Sequence, residues 1–309
     1  MKDKKVVFMG TPQFSVPILK ALIKHTNVIG VVTQPDKEVG RKRILTPSPV
    51  KVLALEYNIP VYEIQKLRKE YQVINDLNPD IIITCAYGQI LPEELIYHPK
   101  FHTINVHGSL LPKLRGGAPI ERAIMEGHKK TGITIMYTDK GMDSGDIITM
   151  EELTIEDNDN LDSLKEKMSL LGKDLLIKTL PSIFDGTASR VVQDHDNMTL
   201  APLIKREDEH LDFSKTTKEV YNHIRGLSSE PGCYALLDDK EFKFFASEKG
   251  FGRGVPGEIT HIYKDGIGVA TSDGEIIVTK IQPPGKKVMF ARDYLNGVDK
   301  KNLKGKVFK

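Results

Sequence analysis

Asn105 and His107 stand two apart in the run Thr103-Ile104-Asn105-Val106-His107-Gly108, and residues two apart on a strand share a face. Polar and apolar residues alternate from His102 to His107, and Gly108 breaks the pattern, so a strand is predicted to end at His107. An amide and an imidazole aimed together suit carbonyl chemistry. The amide N–H can hold a developing oxyanion, while the imidazole moves a proton near neutral pH. Downstream, Arg115-Gly116-Gly117-Ala118-Pro119 has glycines that let backbone approach a ligand, and Pro119 suits the first turn of a helix through Glu121 to Ile124. Gly141-Met142-Asp143-Ser144-Gly145-Asp146 is a glycine-bracketed turn that presents Asp143. A carboxylate brought near His107 would favour its protonated form. Taken singly, an N-x-H triplet is also an ordinary solvated strand edge and Asp in a Gly-rich turn is ordinary turn chemistry; the interest lies in their combination.

The elements that would position these residues follow a strand–helix–strand order. Lys5 to Gly10 reads as a strand, Ser15 to His25 as a helix with Ser15 as N-cap and Pro17 in its first turn, and Asn27 to Thr33 as the next strand. Pro60 to Glu63, Glu70 to Leu77 and Asp80 to Ala86 repeat that order, which argues a Rossmann-like, doubly wound, mostly parallel α/β sheet. Ligands of such sheets sit beyond the carboxyl ends of the strands, where His107 would lie. The first βα turn, Gly10 to Ser15, is neither G-x-G-x-x-G nor a P-loop, so neither a dinucleotide nor an NTP phosphate site is signalled.

Leu161, Leu164, Met168, Leu171 and Leu175 recur at spacings of three and four, an amphipathic helix of about 20 residues that starts near Asn160 and is ended by Gly186. The stretch from Arg190 to Arg206 lacks periodicity and reads as a linker. Beyond it, a helix over Lys218 to Leu227 precedes short strands at Cys233 to Leu237, Glu241 to Ala246, Gly257 to Tyr263, Gly268 to Ala270 and Glu275 to Ile281. Turn signals between them, such as Lys264-Asp265-Gly266 and Ser272-Asp273-Gly274, suggest a small OB-like β-barrel. The expected division is a catalytic domain over 1–189, a linker over 190–207 and an OB-like domain over 208–309.

Composition sets the outer bounds. At 309 residues, 39% hydrophobic and 28% charged, the chain has the make-up of a globular protein of two domains rather than a disordered or fibrous one. Cys85 and Cys233 form no C-x-x-C pair, and Cys85 sits in the apolar run Ile81 to Ala86, where a small buried thiol is expected. The apolar part of Met1 to Gly10 is too short for a secretory segment, no run of about 20 apolar residues could cross a membrane, and the reading is a cytoplasmic protein. The net charge of +2 is small, but Lys280 to Lys309 carries nine Lys or Arg against two acidic residues, which makes a polyanionic partner plausible. Gln34 to Pro49 is a long, proline-interrupted segment whose cluster Arg41, Lys42 and Arg43 would suit phosphate contact.

Three segments together, Asn105 to Pro112, Arg115 to Ile120 and Met142 to Asp146, resemble the formyltransferases that use 10-formyltetrahydrofolate. The resemblance runs from Val6 to Pro12, through Ala86 to Pro92, to Gln282 to Lys287, nearly the whole chain. It implies transfer of a formyl group from N10 of 10-formyltetrahydrofolate, a cosubstrate, to an amine, and among the family's branches to the α-amino group of methionine on initiator methionyl-tRNA. It implies Asn105 as the amide donor to the formyl oxygen, His107 as the group that moves the proton, and Asp143 as the group that holds His107 and an ordered water. The folate pocket it implies is formed by Tyr87, Gly88, Gln89, Ile90 and Leu91, by Ser109, Leu110, Leu111 and Pro112, and by the backbone of Asp139 and Gly141.

On the same resemblance the 34–49 segment is the insertion that embraces the tRNA acceptor stem, with Arg41, Lys42 and Arg43 as contacts, and it is expected to order on binding; Lys286 and Lys287 are further tRNA contacts. No metal is implied, and no H-E-x-x-H pattern is present. The chain is expected to act as a monomer, away from membranes. Where such enzymes often carry an aromatic residue before the proline that opens the second domain, this chain has Leu227 to Cys233, and it contains no Trp. An amino-sugar formyltransferase shares the catalytic trio but gives the basic segments no purpose, a glycinamide ribonucleotide formyltransferase needs no residues beyond about 200, and a plain RNA-binding module has no use for a proton-transfer set.

Overall fold

A computed structural model describes residues 1–40 and 42–309. Two compact units emerge from the packing. The first comprises Met1–Pro119, Thr131–Thr154 and Lys165–Pro202; the second comprises Ile120–Lys130, Ile155–Leu164 and Leu203–Lys309.

In chain order the elements are β1 (Lys5–Gly10), α1 (Val16–His25), β2 (Asn27–Thr33), β3 (Lys37–Val39), β4 (Ile44–Thr46), α2 (Pro49–Glu56), β5 (Val61–Glu63), α3 (Leu67–Glu70), α4 (Gln72–Asn75), β6 (Ile81–Cys85), α5 (Glu93–Ile96), β7 (Thr103–His107), α6 (Pro119–Met125), β8 (Lys130–Tyr137), β9 (Ile147–Thr154) and α7 (Leu161–Asp185). The first unit is built on a sheet of order β5-β2-β1-β6-β7-β8-β9. The pairs from β5 through β7 are parallel, and β8 joins β7 antiparallel. The strand order therefore reverses between β1 and β6, the switch point where an open α/β sheet offers a crevice. Val6 to Met9 and Ile81 to Ile83 are fully buried, as apolar runs in a doubly covered parallel sheet must be. Helix α7 lies close against this sheet because Gly172 carries no side chain: a Cβ there would meet Val106 Cγ1 at 3.2 Å.

Local readings hold with three instructive differences. The Ser15 side chain caps no helix; its hydroxyl donates to the Cys85 carbonyl at 2.7 Å and so ties α1 to the end of β6. The helix expected over Glu70 to Leu77 is two single turns, α3 and α4. The segment 34–49 is a hairpin, β3 with β4, whose turn includes an Arg43 N–H bond to the Gly40 carbonyl and whose root is fixed by Lys51 Nζ, 2.9 Å from Asp36 and 2.8 Å from Glu63.

The stretch 190–202 does not behave as a linker. Leu114 N donates to Thr199 Oγ1 at 2.9 Å, Arg115 N to the Thr199 carbonyl at 2.9 Å, and Ala201 N to the Arg115 carbonyl at 2.7 Å, so it is stitched into the first unit.

The second unit contains α8 (Thr217–Gly226), β10 (Cys233–Leu237), β11 (Lys240–Gly250), β12 (Ile259–Ile262), β13 (Ile267–Ala270), β14 (Glu275–Gln282), β15 (Met289–Phe290), α9 (Ala291–Leu295) and α10 (Lys300–Leu303). Its antiparallel order is β10-β11-β14-β13-β12, with β15 on β14. The chain end bridges the two edges: Ile259 N–H reaches the Lys306 carbonyl and Phe308 N–H the Gly257 carbonyl, while Leu236 and Lys309 exchange two backbone bonds at 2.7 and 2.8 Å. That tail removes the open edges that a sheet must otherwise protect. Phe213, Phe242, Phe244 and Phe308 cluster edge to face in the core. Gly232 makes room for the Phe245 ring, whose edge lies 2.6 Å from where a Gly232 Cβ would be.

Candidate active site

Parallel pairing sets Asn105 of β7 opposite Thr84 of β6. The Thr84 hydroxyl donates to Asn105 Oδ1 at 2.8 Å. Since Oδ1 is taken as acceptor, the amide orientation is fixed, and Nδ2 faces Asp143 Oδ1 at 3.4 Å, a long contact that leaves its N–H groups available.

His107 ends β7 and is buried. Its Nε2 is 3.0 Å from the Leu114 carbonyl, which can only accept, so Nε2 carries the proton. Nδ1 faces Asp143 Oδ2 at 3.6 Å. Asp143 Oδ2 also accepts from Gly116 N–H at 2.9 Å. Asp143 has φ +48°, in the left-handed region that Asp and Asn enter more readily than other non-glycine residues. Gly116, at φ +122°, tolerates no side chain: a Cβ would lie 2.7 Å from the Ala201 carbonyl oxygen. The structure thus brings Asn105, His107 and Asp143 together on one strand face under one folded-back turn.

The other residues expected from the sequence divide by what their atoms are already doing. Tyr87 is buried in the core, and its carbonyl accepts from Gln34 Nε2 at 3.1 Å. Gln89 spends its amide on Leu67 N–H and the Ile64 carbonyl, both at 2.9 Å. Leu91 packs against the same core, Ile90 is 69% exposed, and Gly88 adopts φ +88°. Ser109 donates to the Lys113 carbonyl at 2.6 Å, Leu111 N–H reaches Thr134 Oγ1 at 3.2 Å, and Leu110 and Pro112 are half-buried between them. Asp139 accepts from Gly141 N–H and from Ser144 Oγ. A ligand would therefore meet backbone groups and the Ile90 side chain more than the polar side chains of Tyr87 and Gln89.

Arg41 lies outside the described residues. Lys42 is exposed at the hairpin turn, and Arg43 pairs with Glu38 at 2.5 Å in the open. Lys286 and Lys287 are exposed in the turn that follows β14, in the second unit.

Thr84, Arg115 and Gln193 belong to the site and were not singled out from sequence. Arg115 is 6% exposed, and its guanidinium bonds Gln193 Oε1 from Nε (3.1 Å) and Nη2 (2.6 Å), with Nη2 also 3.1 Å from His195 Nδ1. Gln193 in turn donates from Nε2 to the carbonyls of Asp143 (2.9 Å) and Gly145 (2.7 Å). The signal available was Arg115 inside the glycine motif; nothing local marks Gln193.

Both cysteines are buried. Burial pushes the Cys85 thiol up to about 12 and the Cys233 thiol well above its ordinary value, so neither is a nucleophile in this fold. Among the described residues no group of three or more His, Cys, Asp or Glu could hold a metal ion, and no helix is long and apolar enough to cross a membrane.

An amide donor, an imidazole of fixed tautomer and a carboxylate beyond the strand ends of an open α/β sheet define an enzyme of carbonyl group transfer. Residues 4–180 match the formyl transferase family and 203–299 the formyl transferase C-terminal domain. The chain is 47% identical over 306 residues to the methionyl-tRNA formyltransferase of Macrococcus caseolyticus, covering 98% of each, and 48% identical over 307 residues to that of Staphylococcus epidermidis strain RP62A, covering 98% and 99%. It belongs to the methionyl-tRNA formyltransferase family. Fold similarity extends further: HypX from Aquifex aeolicus in complex with tetrahydrofolic acid aligns with a TM-score of 0.66 at 16% identity over 96% of this chain, which spans about half of HypX (47%). The N-formyltransferase from Helicobacter canadensis, in complex with folinic acid and dTDP-3-aminofucose, aligns with a TM-score of 0.66 at 21% identity, covering 89% and 98%.

Proposed function

We propose that the protein transfers the formyl group of 10-formyltetrahydrofolate to the α-amino group of methionine on initiator methionyl-tRNA, in the cytoplasm and as a single chain. The observation that carries the residue roles is the fixed polarity of Asn105. With Oδ1 held by Thr84, only N–H groups are presented, as an oxyanion requires. The free amine attacks the formyl carbon, a C–N bond forms, and the formyl oxygen takes the negative charge against Asn105 Nδ2. The amine proton leaves by way of His107 Nδ1, with Asp143 beside it stabilising the cation that forms. Collapse of the intermediate breaks the bond to N10, which recovers the proton, and formylated methionyl-tRNA departs with tetrahydrofolate.

Support for the tRNA as acceptor comes from family membership and from the exposed cations at the hairpin turn, Lys42 and Arg43, and at Lys286 and Lys287. The backbone-rich surroundings of Gly88, Ser109 to Pro112 and Gly141, with the exposed Ile90, suit a flat, partly apolar pterin. The test is steady-state formylation by the purified protein with 10-formyltetrahydrofolate and, side by side, charged initiator methionyl-tRNA, charged elongator methionyl-tRNA and a UDP-amino sugar. Transfer selective for the initiator supports the reading; transfer to the sugar alone keeps the chemistry and overturns the acceptor.

A further inference from the structure

Asp143 is an unusual place to put a working carboxylate. Its backbone is left-handed, glycines bracket the turn around it, and its bond from Gly116 N–H at 2.9 Å and its 3.6 Å approach to His107 Nδ1 both need Oδ2 in one spot. A glycine-bracketed turn has many alternative conformations, so something must select this one. The turn itself supplies an Asp139–Ser144 bond, which ties its ends but does not touch Asp143. From outside the turn, the single amide nitrogen of Gln193 captures two carbonyls at once, those of Asp143 and Gly145.

Gln193 is itself held. It is 3% exposed, and its Oε1 receives two N–H groups from the buried guanidinium of Arg115, which adjoins Gly116 in the chain. Among the described residues Arg115 has no carboxylate partner; beside Gln193 its guanidinium meets the accepting ring nitrogen of His195. A buried cation without a counter-charge is a costly way to hold a neutral amide. What the arrangement achieves is geometric: the Arg115–Gln193 pair links the loop that carries Gly116 to the backbone of the turn that carries Asp143, the donor and acceptor of one catalytic bond.

We propose that Gln193 is a positioning residue that sets the Asp143 carboxylate, and through it His107 Nδ1, for the proton-transfer step, with Arg115 fixing the orientation of its amide. The assignment rests on the reaction proposed above for the roles of Asp143 and His107, but its structural core does not. It gives the non-periodic 190–202 stretch a role in the chemistry of the first unit.

The discriminating variant is Gln193→Glu. It keeps, and strengthens, an acceptor for Arg115 but cannot donate to the Asp143 and Gly145 carbonyls. A residue that only accepted from Arg115 would survive this change. A positioning residue would not: kcat for formylation falls about 10- to 100-fold, the cost of a misplaced catalytic group, while KM for both substrates stays within about twofold and the melting temperature is not lowered. In an Asp143→Asn background the same change should cost nothing further, since both act on one step. Independently of activity, amide hydrogen exchange at Gly116 should accelerate at least about tenfold in Gln193→Glu, because its acceptor has moved. Parental kcat, unchanged Gly116 exchange, or a loss in the double variant equal to the product of the single losses would each overturn the proposal. If the parental protein failed to formylate tRNA, the reaction reading would fail while the Gly116 exchange still decided the positioning role.

Discussion

Removing the amide of Asn105 isolates the oxyanion contribution. In Asn105→Ala the Thr84 hydroxyl loses its 2.8 Å acceptor but keeps the Ile104 carbonyl at 3.3 Å, so the expected stability loss is that of one hydrogen bond, about 1 kcal/mol. The kinetic loss should be much larger. A preorganised oxyanion donor is worth about 2.7–4 kcal/mol, so kcat should fall about 10²- to 10³-fold with KM for both substrates little changed. Thr84→Val provides the graded control. It leaves the amide in place but removes the bond that orients it, so only the 3.4 Å approach to Asp143 resists a flip. Loss of about 0.5–1.5 kcal/mol of orientation predicts a 2- to 10-fold lower kcat. The assay is single-turnover formylation at saturating donor, with thermal melts in parallel. An Asn105→Ala variant within about fivefold of the parent, or a Thr84→Val variant as impaired as Asn105→Ala, would refute the reasoning.

His107→Ala and Asp143→Asn should each lower kcat by about 10²–10⁴-fold, and the double variant should lose far less than the product of the two, as measured in the same assay. Lys42→Glu with Lys286→Glu should raise KM for tRNA while leaving single-turnover chemistry at saturation intact, and the slope of log affinity against log salt should fall by about one for each phosphate no longer neutralised. Burial pushes the His223 imidazole below its ordinary value, with the Asp208 carbonyl at 2.7 Å only partly offsetting it. The unfolded state therefore binds the proton more readily, and the stability fully present above about pH 6.5 is lost progressively as pH falls below it through the lowered folded value; urea midpoints at pH 7.5 and 5.5 should differ less in His223→Gln than in the parent. Iodoacetamide should label neither Cys85 nor Cys233 in the native protein and both after denaturation, read by mass spectrometry.

The parts legible in the sequence were those with local periodicity. The alternation around Asn105 and His107 located β7 and its end, the three-and-four spacing of leucines located α7, and turn signals bracketed the strands of the second unit. The hairpin of β3 and β4 was not legible because every residue in both strands is exposed, so no burial pattern betrays them. The edge-closing role of the chain end was hidden under its lysines, which read as a basic stretch suited to a polyanionic partner, whereas its backbone makes the contacts. Gln193 could not be read at all. Its partners Asp143 and Arg115 lie 50 and 78 residues away, and a buried polar residue in a stretch without periodicity has no local signature.

The central claim, formyl transfer to methionine through Asn105, His107 and Asp143, is tested most directly by following the carbon. Purified protein would be mixed with 10-formyltetrahydrofolate labelled with ¹³C in the formyl group and with charged initiator methionyl-tRNA, quenched, and the ester hydrolysed for mass spectrometry. The account predicts labelled N-formylmethionine from the parental protein, its near-absence with Asn105→Ala, and none from an uncharged tRNA. Label appearing only as free formate, or N-formylmethionine formed as fast by Asn105→Ala as by the parent, would contradict it.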